Sequence, residues 1–577
     1  MFSPDSRNVN SLWASVLAEI LARSGVTRAV VSPGSRSTPL AIALAAHPGL
    51  EAIPVLDERS AGFFALGLAK VSGAPVVLVC TSGTAVANFF PAVIEAHESA
   101  VPLLVLSADR PPEMRACASG QTIDQQKIFG GFPVFQHELA VPELDAGRFA
   151  YLRQTVAHAV ARALGPGGGP VHLNAPFRDP LPPVADAGAA ELFAGTVDWP
   201  RFFSHLEPAA PALVFGRPPR LSPEVHGAIV VGPAQPADLE TYLAAAAEIA
   251  RRLGWPVLAD GLSPLRQHAG RFPALVTTYD TVLRHPETAE RLRPEVVLVL
   301  GEWPTSKVLR AWVEASGADL WLATERPDNR DALHGRTRAV GLSLPALANV
   351  LPQAIDANGY QRMWARYDGK IRAAIDARLA AETGWFEPKA AWLLATALPA
   401  GTPLFIANSM PVRDFEYVSP PTNRAIRLWC NRGANGIDGT LSTALGVAHG
   451  GKPAVLFTGD LALLHDTNGF LLAAKFRGSL TVVVINNRGG GIFEHLPVAK
   501  FEPPFEEFFA TPQHVDFGKL AAAYGLAHTV IRDWPHLVAE IATLPAAGIR
   551  ILEIRTDRKA DAAGRKAWFA ALAASLG

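Results

Sequence analysis

KPAVLFTGDLALLHDTNGFLLAAKFRGSLTVVVINNRGGG, residues 452–491, is the stretch from which the rest of the chain can be read. Residues 454–458 form a short apolar run, the middle carries apolar residues at helical spacing, and 480–485 is rich in β-branched residues. The pattern predicts strand, sharp turn, helix, strand and sharp turn. Two parallel strands joined by a crossover helix end on the same side of their sheet, so Asp460 and Asn487 are expected at neighbouring strand ends. A carboxylate and an amide oxygen beside glycine-rich turns suit Mg²⁺ carrying a diphosphate. The same spacing also fits an ordinary βαβ unit with turn residues at both strand ends.

Outward from this stretch, the chain repeats the same plan. Helices are expected at 11–24, 39–46 and 61–70, and strands at 29–32, 52–56, 76–80 and 103–107, an alternation that argues for a parallel sheet covered on both faces. Residues 174–195, rich in Pro, Ala and Gly, read as a linker. GAIVVGPAQ (227–235), a helix to Leu253, PVLADG (256–261) and EVVLVLGEW (295–303) supply a second set of βα units. The turn after Val231 falls short of G-x-G-x-x-G, so a dinucleotide site does not follow from it. Residues 341–365 cross to a third region that matches the first in order and spacing. VVSPGSRSTPL from Val30 corresponds to FIANSMPVRDF from Phe405, and LDERSAGFFALGLA from Leu56 to CNRGANGIDGTLSTALGVA from Cys430. The third and fourth matches are Ala74 with Lys452 and Val101 with Ser479, each opening a strand-to-loop unit. The expected class is therefore α/β, with three doubly wound, mainly parallel-sheet domains at 1–185, 196–350 and 366–577.

The 577 residues are 49% hydrophobic and 18% charged, with a net charge of -1. That balance argues against nucleic acid or an anionic membrane as a general partner. No apolar run reaches about 20 residues, so no membrane span is expected. The three cysteines form no metal-binding pattern, and a reducing cytoplasm is the expected location. Attraction for anions must then be local. Arg36, Arg110, Arg413 and Arg432 all fall in predicted strand-end loops, and arginine's planar fork suits bidentate binding of carboxylates. Glu58, directly before a predicted helix, is either a helix N-terminal carboxylate or an acid held away from water to protonate a heterocycle nitrogen.

A first region with that glutamate, a middle region of weak nucleotide-fold character and a third with Gly459-Asp460-Leu461 followed by Asn486-Asn487 resembles the thiamine-diphosphate-dependent enzymes. SPGSRSTPL (32–40), DERSAGFFALGLAK (57–70), SADRPPE (107–113), NRGANGIDGT (431–440) and GGGIFEHLP (489–497) narrow the resemblance to the carboligases of menaquinone biosynthesis. The resemblance implies thiamine diphosphate held through Mg²⁺ or Mn²⁺ on Asp460, Asn487 and the main chain of Gly489, with Gly459 and Leu461 alongside. It implies that Glu58 contacts the aminopyrimidine, that Ile437 supports the bent cofactor, and that Ile492, Phe493 and Leu496 form an apolar wall. Ser35, Arg36, Arg110, Gln121, Lys307, Ser409, Arg413 and Arg432 match substrate-binding positions. The implied reaction is decarboxylation of 2-oxoglutarate and 1,4-addition of a succinyl-semialdehyde carbanion equivalent to isochorismate. The implied assembly is a homodimer or homotetramer with sites at the chain interface. An acetolactate-synthase-like or oxoacid-decarboxylase-like enzyme is the alternative within the same chemistry. Two departures stand out: Leu461 replaces the third glycine of the family's GDG, and Gly120-Gln121 stands where the family often has Asn-Gln.

Overall fold

The computed structural model of the protein describes residues 2–208, 218–352 and 359–576. Three sheets of six strands are present among them. The first contains β1 (Arg28–Val31), β2 (Glu51–Pro54), β3 (Val76–Cys80), β4 (Leu103–Asp109), β5 (Phe135–Glu138) and β6 (Val171–Pro176). The second contains β7 (Gly227–Val231), β8 (Val257–Ala259), β9 (Leu275–Val276), β10 (Val296–Leu300), β11 (Asp319–Ala323) and β12 (Thr337–Val340). The third contains β13 (Pro403–Ile406), β14 (Arg427–Trp429), β15 (Ala454–Gly459), β16 (Ser479–Asn486), β17 (Ala527–Val530) and β18 (Gly548–Arg555). All neighbouring strands pair in parallel.

The first sheet runs β2-β1-β3-β4-β6-β5 and the third β14-β13-β15-β16-β18-β17. Counted from the first strand of each, these are one order, so the four matched sequence segments occupy matching positions in two copies of one topology. The middle sheet runs β12-β11-β10-β7-β8-β9. Counted from β7 and read from its other edge, that is 3-2-1-4-5-6, the order of dinucleotide-binding sheets. The weak nucleotide-fold signal of the middle region therefore reflects its topology.

Local chemistry explains the elements. β3 (VVLVC) and β4 (LLVLSAD) are buried along their whole length, as a sheet covered on both faces requires. The Val9–Arg23 helix opens where the Asn8 side chain accepts from the Ser11 N–H, and it buries Trp13, Leu17 and Leu21 in the core of the first sheet. The expected linker at 174–195 is corrected at both ends. Asn174, Ala175 and Pro176 complete β6 beside β4, and Ala189–Thr196 is helical. Asn174 accepts from Ser107 Oγ at 3.0 Å and donates to Asp109 Oδ2 at 2.8 Å, so its bonds to β4 together with the ladder outweighed the turn-forming composition that follows. The crossing expected at 341–365 falls partly outside the described residues.

The chain forms two compact units that cut across sequence order. One comprises Met1–Leu213, Asn431–His449 and Asp466–Phe476; the other comprises Val214–Cys430, Gly450–His465 and Arg477–Gly577. In the first unit, two pieces of the third sequence region fold against the first. The Thr440–Ala448 helix meets the Glu58–Ser72 helix backbone to backbone: a Cβ on Gly446 would lie 2.2 Å from the Phe64 carbonyl oxygen, and one on Gly67 2.2 Å from that of Thr443. Gly446→Ala is expected to cost about 1–3 kcal/mol through overpacking. The readout is the thermal midpoint of unfolding, and an unchanged midpoint would contradict the contact.

Candidate active site

In the second unit, β15 and β16 pair with Gly459 opposite Ile485, which sets Asp460 and Asn487 at adjoining strand ends as the spacing predicted. Asp460 begins the Asp460–His465 helix. Its Oδ1 accepts the Leu461 N–H at 2.7 Å and its Oδ2 the Gly489 N–H at 2.9 Å, the latter tying the turn after β16 to the turn after β15. Gly489 adopts φ +140°, and a Cβ there would lie 2.5 Å from the Ala510 carbonyl oxygen, so the turn requires glycine. Leu461 carries the bond to Asp460 in a helical conformation, which accounts for a non-glycine residue at the third position.

Burial pushes the Asp460 carboxyl up to about 6, opposed by the two N–H donors and reinforced by the negative charge of Glu387. Asn487 is buried. Its Nδ2 donates to Glu387 Oε1 at 2.9 Å, while its Oδ1 is buried with no hydrogen-bond partner among the described residues. An unsatisfied buried acceptor costs about 1–3 kcal/mol, a cost that a cation would remove. The donor set of one carboxylate, one amide oxygen and the Gly489 carbonyl is all hard oxygen and fits Mg²⁺ or Mn²⁺ better than a thiolate-seeking metal. The Gly489 carbonyl already accepts the Gly491 N–H at 2.9 Å and keeps its second lone pair.

The other expected residues of this unit lie on neighbouring loops and at helix starts. Ser409 is held at φ +71°, a conformation costing about 1–3 kcal/mol in a non-glycine residue. Its carbonyl accepts from Arg413 at 2.6 Å. Ile492 and Phe493 lie partly exposed on the short Gly491–His495 turn, Phe493 edge-on to Phe509 at 5.9 Å, and Leu496 is exposed. His495 is lowered to about 4, first by burial and then by the charges of Lys566 and Arg413, so it is neutral near pH 7. Lys307 is exposed as the first residue of the Lys307–Ser316 helix, where the macrodipole disfavours a cation. Helix stability therefore gives no reason for a lysine there.

In the first unit, Arg36 is buried, donates to the Phe177 carbonyl at 2.9 Å and has an Nε with no hydrogen-bond partner among the described residues. Its pKa is lowered by burial and then by the charge of Arg110. Asp179 Oδ1 lies 3.8 Å from Arg36 Nη1 and, with Asp109, offsets part of that repulsion, while the Arg36 backbone N–H donates to Thr81 Oγ1 at 3.2 Å, next to Ser82. Arg110 donates to Ser82 Oγ at 2.5 Å and to the Gly120 carbonyl at 2.8 Å. Gln121, at φ +54°, donates to the Ser82 carbonyl at 3.0 Å, so Ser82 links both residues. Ser35 is exposed beside Arg36. A Cβ on Gly120 would meet nothing within 4 Å, so the departure from Asn-Gln has no steric origin.

Glu58 is the first residue of the Glu58–Ser72 helix and is only partly buried, which corrects the expected acid shielded from water within this chain. The reason is position: it follows β2, an edge strand, and the preceding Leu56 is exposed. Capping is done by Asp57, whose carboxylate accepts the Arg59 N–H at 2.8 Å and Asn468 Nδ2 at 2.6 Å. Glu58 is thereby released from the helix N-cap role. Arg432 and Ile437 lie on the 431–438 loop, which is anchored on buried Glu95. Its carboxylate accepts the Gly433 N–H at 3.0 Å, the Ala434 N–H at 2.7 Å and Ser99 Oγ at 2.7 Å, with Lys70 Nζ at 3.9 Å. Glu95 and Glu387 escaped the sequence reading because each touches loops more than 90 positions away and belongs to no local motif.

Three family models match the chain: the thiamine pyrophosphate enzyme N-terminal TPP binding domain over residues 13–128, the middle domain over 223–406 and the C-terminal TPP binding domain over 417–550. A 2-succinyl-5-enolpyruvyl-6-hydroxy-3-cyclohexene-1-carboxylate synthase of Microcystis aeruginosa is 54% identical across 96% of this chain and 98% of its own length. The synthase of the same name from Trichormus variabilis is 51% identical across 97% of each chain. The chain belongs to this synthase family. The synthase fold is shared with a Rhodococcus jostii thiamine diphosphate-dependent 4-hydroxybenzoylformate decarboxylase, with a TM-score of 0.67 at 17% identity over 94% of this chain and 99% of that one. Among the described residues no helix is long and apolar enough to cross a membrane.

Glu95→Ala removes the acceptor for two loop N–H groups and is expected to destabilise the protein by about 1–3 kcal/mol. Hydrogen exchange should quicken at the Gly433 and Ala434 amides, and unchanged protection there would show that the loop is held by something else.

Proposed function

We propose that this synthase decarboxylates 2-oxoglutarate and adds the succinyl-semialdehyde carbanion equivalent 1,4 to isochorismate, in menaquinone biosynthesis. The observation that carries the reading is that Arg36 and Arg110 are gathered at the loop after β3, where the Arg36 backbone N–H donates to Thr81 Oγ1 at 3.2 Å and Arg110 to Ser82 Oγ at 2.5 Å, in a protein of net charge -1. Both substrates are dicarboxylates, and such a cationic pair is what they need. The near-full-length similarity to synthases of that name supports the same choice.

In this reading, 1–185 is the pyrimidine-side domain, 196–350 the middle domain and 366–577 the diphosphate-side domain. Asp460, Asn487 Oδ1 and the Gly489 carbonyl hold Mg²⁺ or Mn²⁺, with Gly459 and Leu461 lining the diphosphate. When bound, thiamine diphosphate supplies the carbon nucleophile and the electron sink for loss of carbon dioxide. Glu58 moves a proton at the aminopyrimidine ring nitrogen, while Ile437, Ile492 and Phe493 shape the cofactor's apolar surroundings and exclude water. Arg36, Arg110 and Arg432 bind substrate carboxylates by paired N–H donors, assisted by Ser35, Gln121, Lys307, Ser409 and Arg413. A homodimer or homotetramer with sites between chains would cover Glu58, whose partial exposure here leaves room for a second chain. The enzyme acts in the cytoplasm.

Purified protein with thiamine diphosphate and Mg²⁺ is expected to consume 2-oxoglutarate and isochorismate together. Turnover of pyruvate without any need for isochorismate would overturn the assignment. Glu58→Gln should lower the rate by about 10²–10⁴-fold while thiamine diphosphate still binds, and a variant as fast as wild type would exclude the proton-transfer role. Asp460→Ala should weaken thiamine diphosphate binding at fixed Mg²⁺ in a calorimetric titration, and wild-type affinity there would refute the metal ligand.

A further inference from the structure

Glu387 begins the Glu387–Ala397 helix, is 3% exposed and has no part in the chemistry described above. The side-chain groups it contacts are all donors. Its Oε1 accepts from Asn487 Nδ2 at 2.9 Å and from Thr556 Oγ1 at 2.8 Å, and its Oε2 lies 3.5 Å from an Arg565 guanidinium nitrogen. Arg565 is buried too, donates to Asp561 from Nε at 3.0 Å and pairs with Asp414.

A primary amide has one donor end and one acceptor end, and it can be built either way round. Glu387 Oε1 already accepts from Thr556 Oγ1 and Oε2 faces the Arg565 guanidinium, so the carboxyl presents acceptor oxygens and the NH₂ group of Asn487 must face it; the reverse sets two acceptors against each other. The Asn487 Oδ1 is then turned away from Glu387. This is the buried oxygen left without a hydrogen-bond partner among the described residues.

We infer that Glu387 is a positioning residue for the metal, fixing the Asn487 amide so that Oδ1, and not Nδ2, is presented to the divalent cation. The inference rests on the metal reading proposed above. It adds a residue from far outside the 452–491 stretch, delivered by the helix that precedes β13. Thr556 and Arg565 act one step further back, holding the Glu387 carboxylate in place by donating to it.

The test uses the full-length protein with thiamine diphosphate in excess and Mn²⁺ as the titrated ion, followed by calorimetry or by the electron paramagnetic resonance of free Mn²⁺. Glu387→Gln should weaken Mn²⁺ binding by about 10–100-fold, the usual effect of removing the partner that orients a ligand. The double variant Glu387→Gln/Asn487→Asp reverses the polarity of the pair: the new amide donates to the new carboxylate, again leaving one oxygen for the metal. It should bind Mn²⁺ within tenfold of wild type. A purely structural role for Glu387 predicts no such rescue. Wild-type affinity in the single variant, or a double variant no better than the single, would overturn the inference. If circular dichroism shows that the single variant does not fold, the double variant decides alone: affinity within tenfold of wild type supports the inference, and weaker binding overturns it. Asp460→Ala in the same titration separates the two levels, since wild-type Mn²⁺ affinity there removes the metal reading itself.

Discussion

The hydrogen bond from the Gly489 amide to the buried Asp460 carboxylate joins the loops after two neighbouring parallel strands into a single surface. Parallel pairing alone delivers both loops to one side of the sheet, but it leaves their relative height free. A carboxylate out of water is costly unless N–H groups converge on it. Asp460 therefore holds the two loops together while remaining available to a cation of higher charge.

The same device recurs. Glu95 gathers the Gly433 and Ala434 amides and so holds the loop bearing Arg432 and Ile437. Asp466 accepts from the Ser442 N–H at 2.7 Å, and Asp57 accepts from Asn468 beside Glu58. In each case an acidic side chain is satisfied by a segment distant in sequence, and beside Glu95 and Asp57 a proposed functional residue lies next to that anchor or on the loop it holds. Close contact of the Gly67 and Gly446 backbones completes the first unit, because no side chain separates the two helices there.

Two sheets of one strand order carry different chemistry. At the end of β16 and its copy β4, the chain has Asn487 in one case and Arg110 in the other; after β15 and β3 it has Asp460 and Ser82. The topology fixes where the loops are, and in the proposed reading the loop residues decide whether a cation or an anion is attracted there.

Much of this was legible in residue order. The apolar runs of β3, β4, β15 and β16 and the fourfold match of segments determined three parallel α/β sheets, because hydrophobic periodicity and crossover handedness leave few arrangements. The nearness of Asp460 to Asn487 followed from the same rule, and SPGSRSTPL and NRGANGIDG carried the family resemblance. Tertiary structure alone decided the rest. Glu387 and Glu95 became anchors only when the chain brought partners from far away, since hydrogen bonding at long range has no sequence period. Glu58 proved partly exposed because β2 lies at a sheet edge, and β6 continued into the supposed linker because pairing with β4 outweighed local composition. Local sequence thus determined which elements form, while the need to satisfy buried carboxylates such as Asp460 and Glu95 decided how their loops meet.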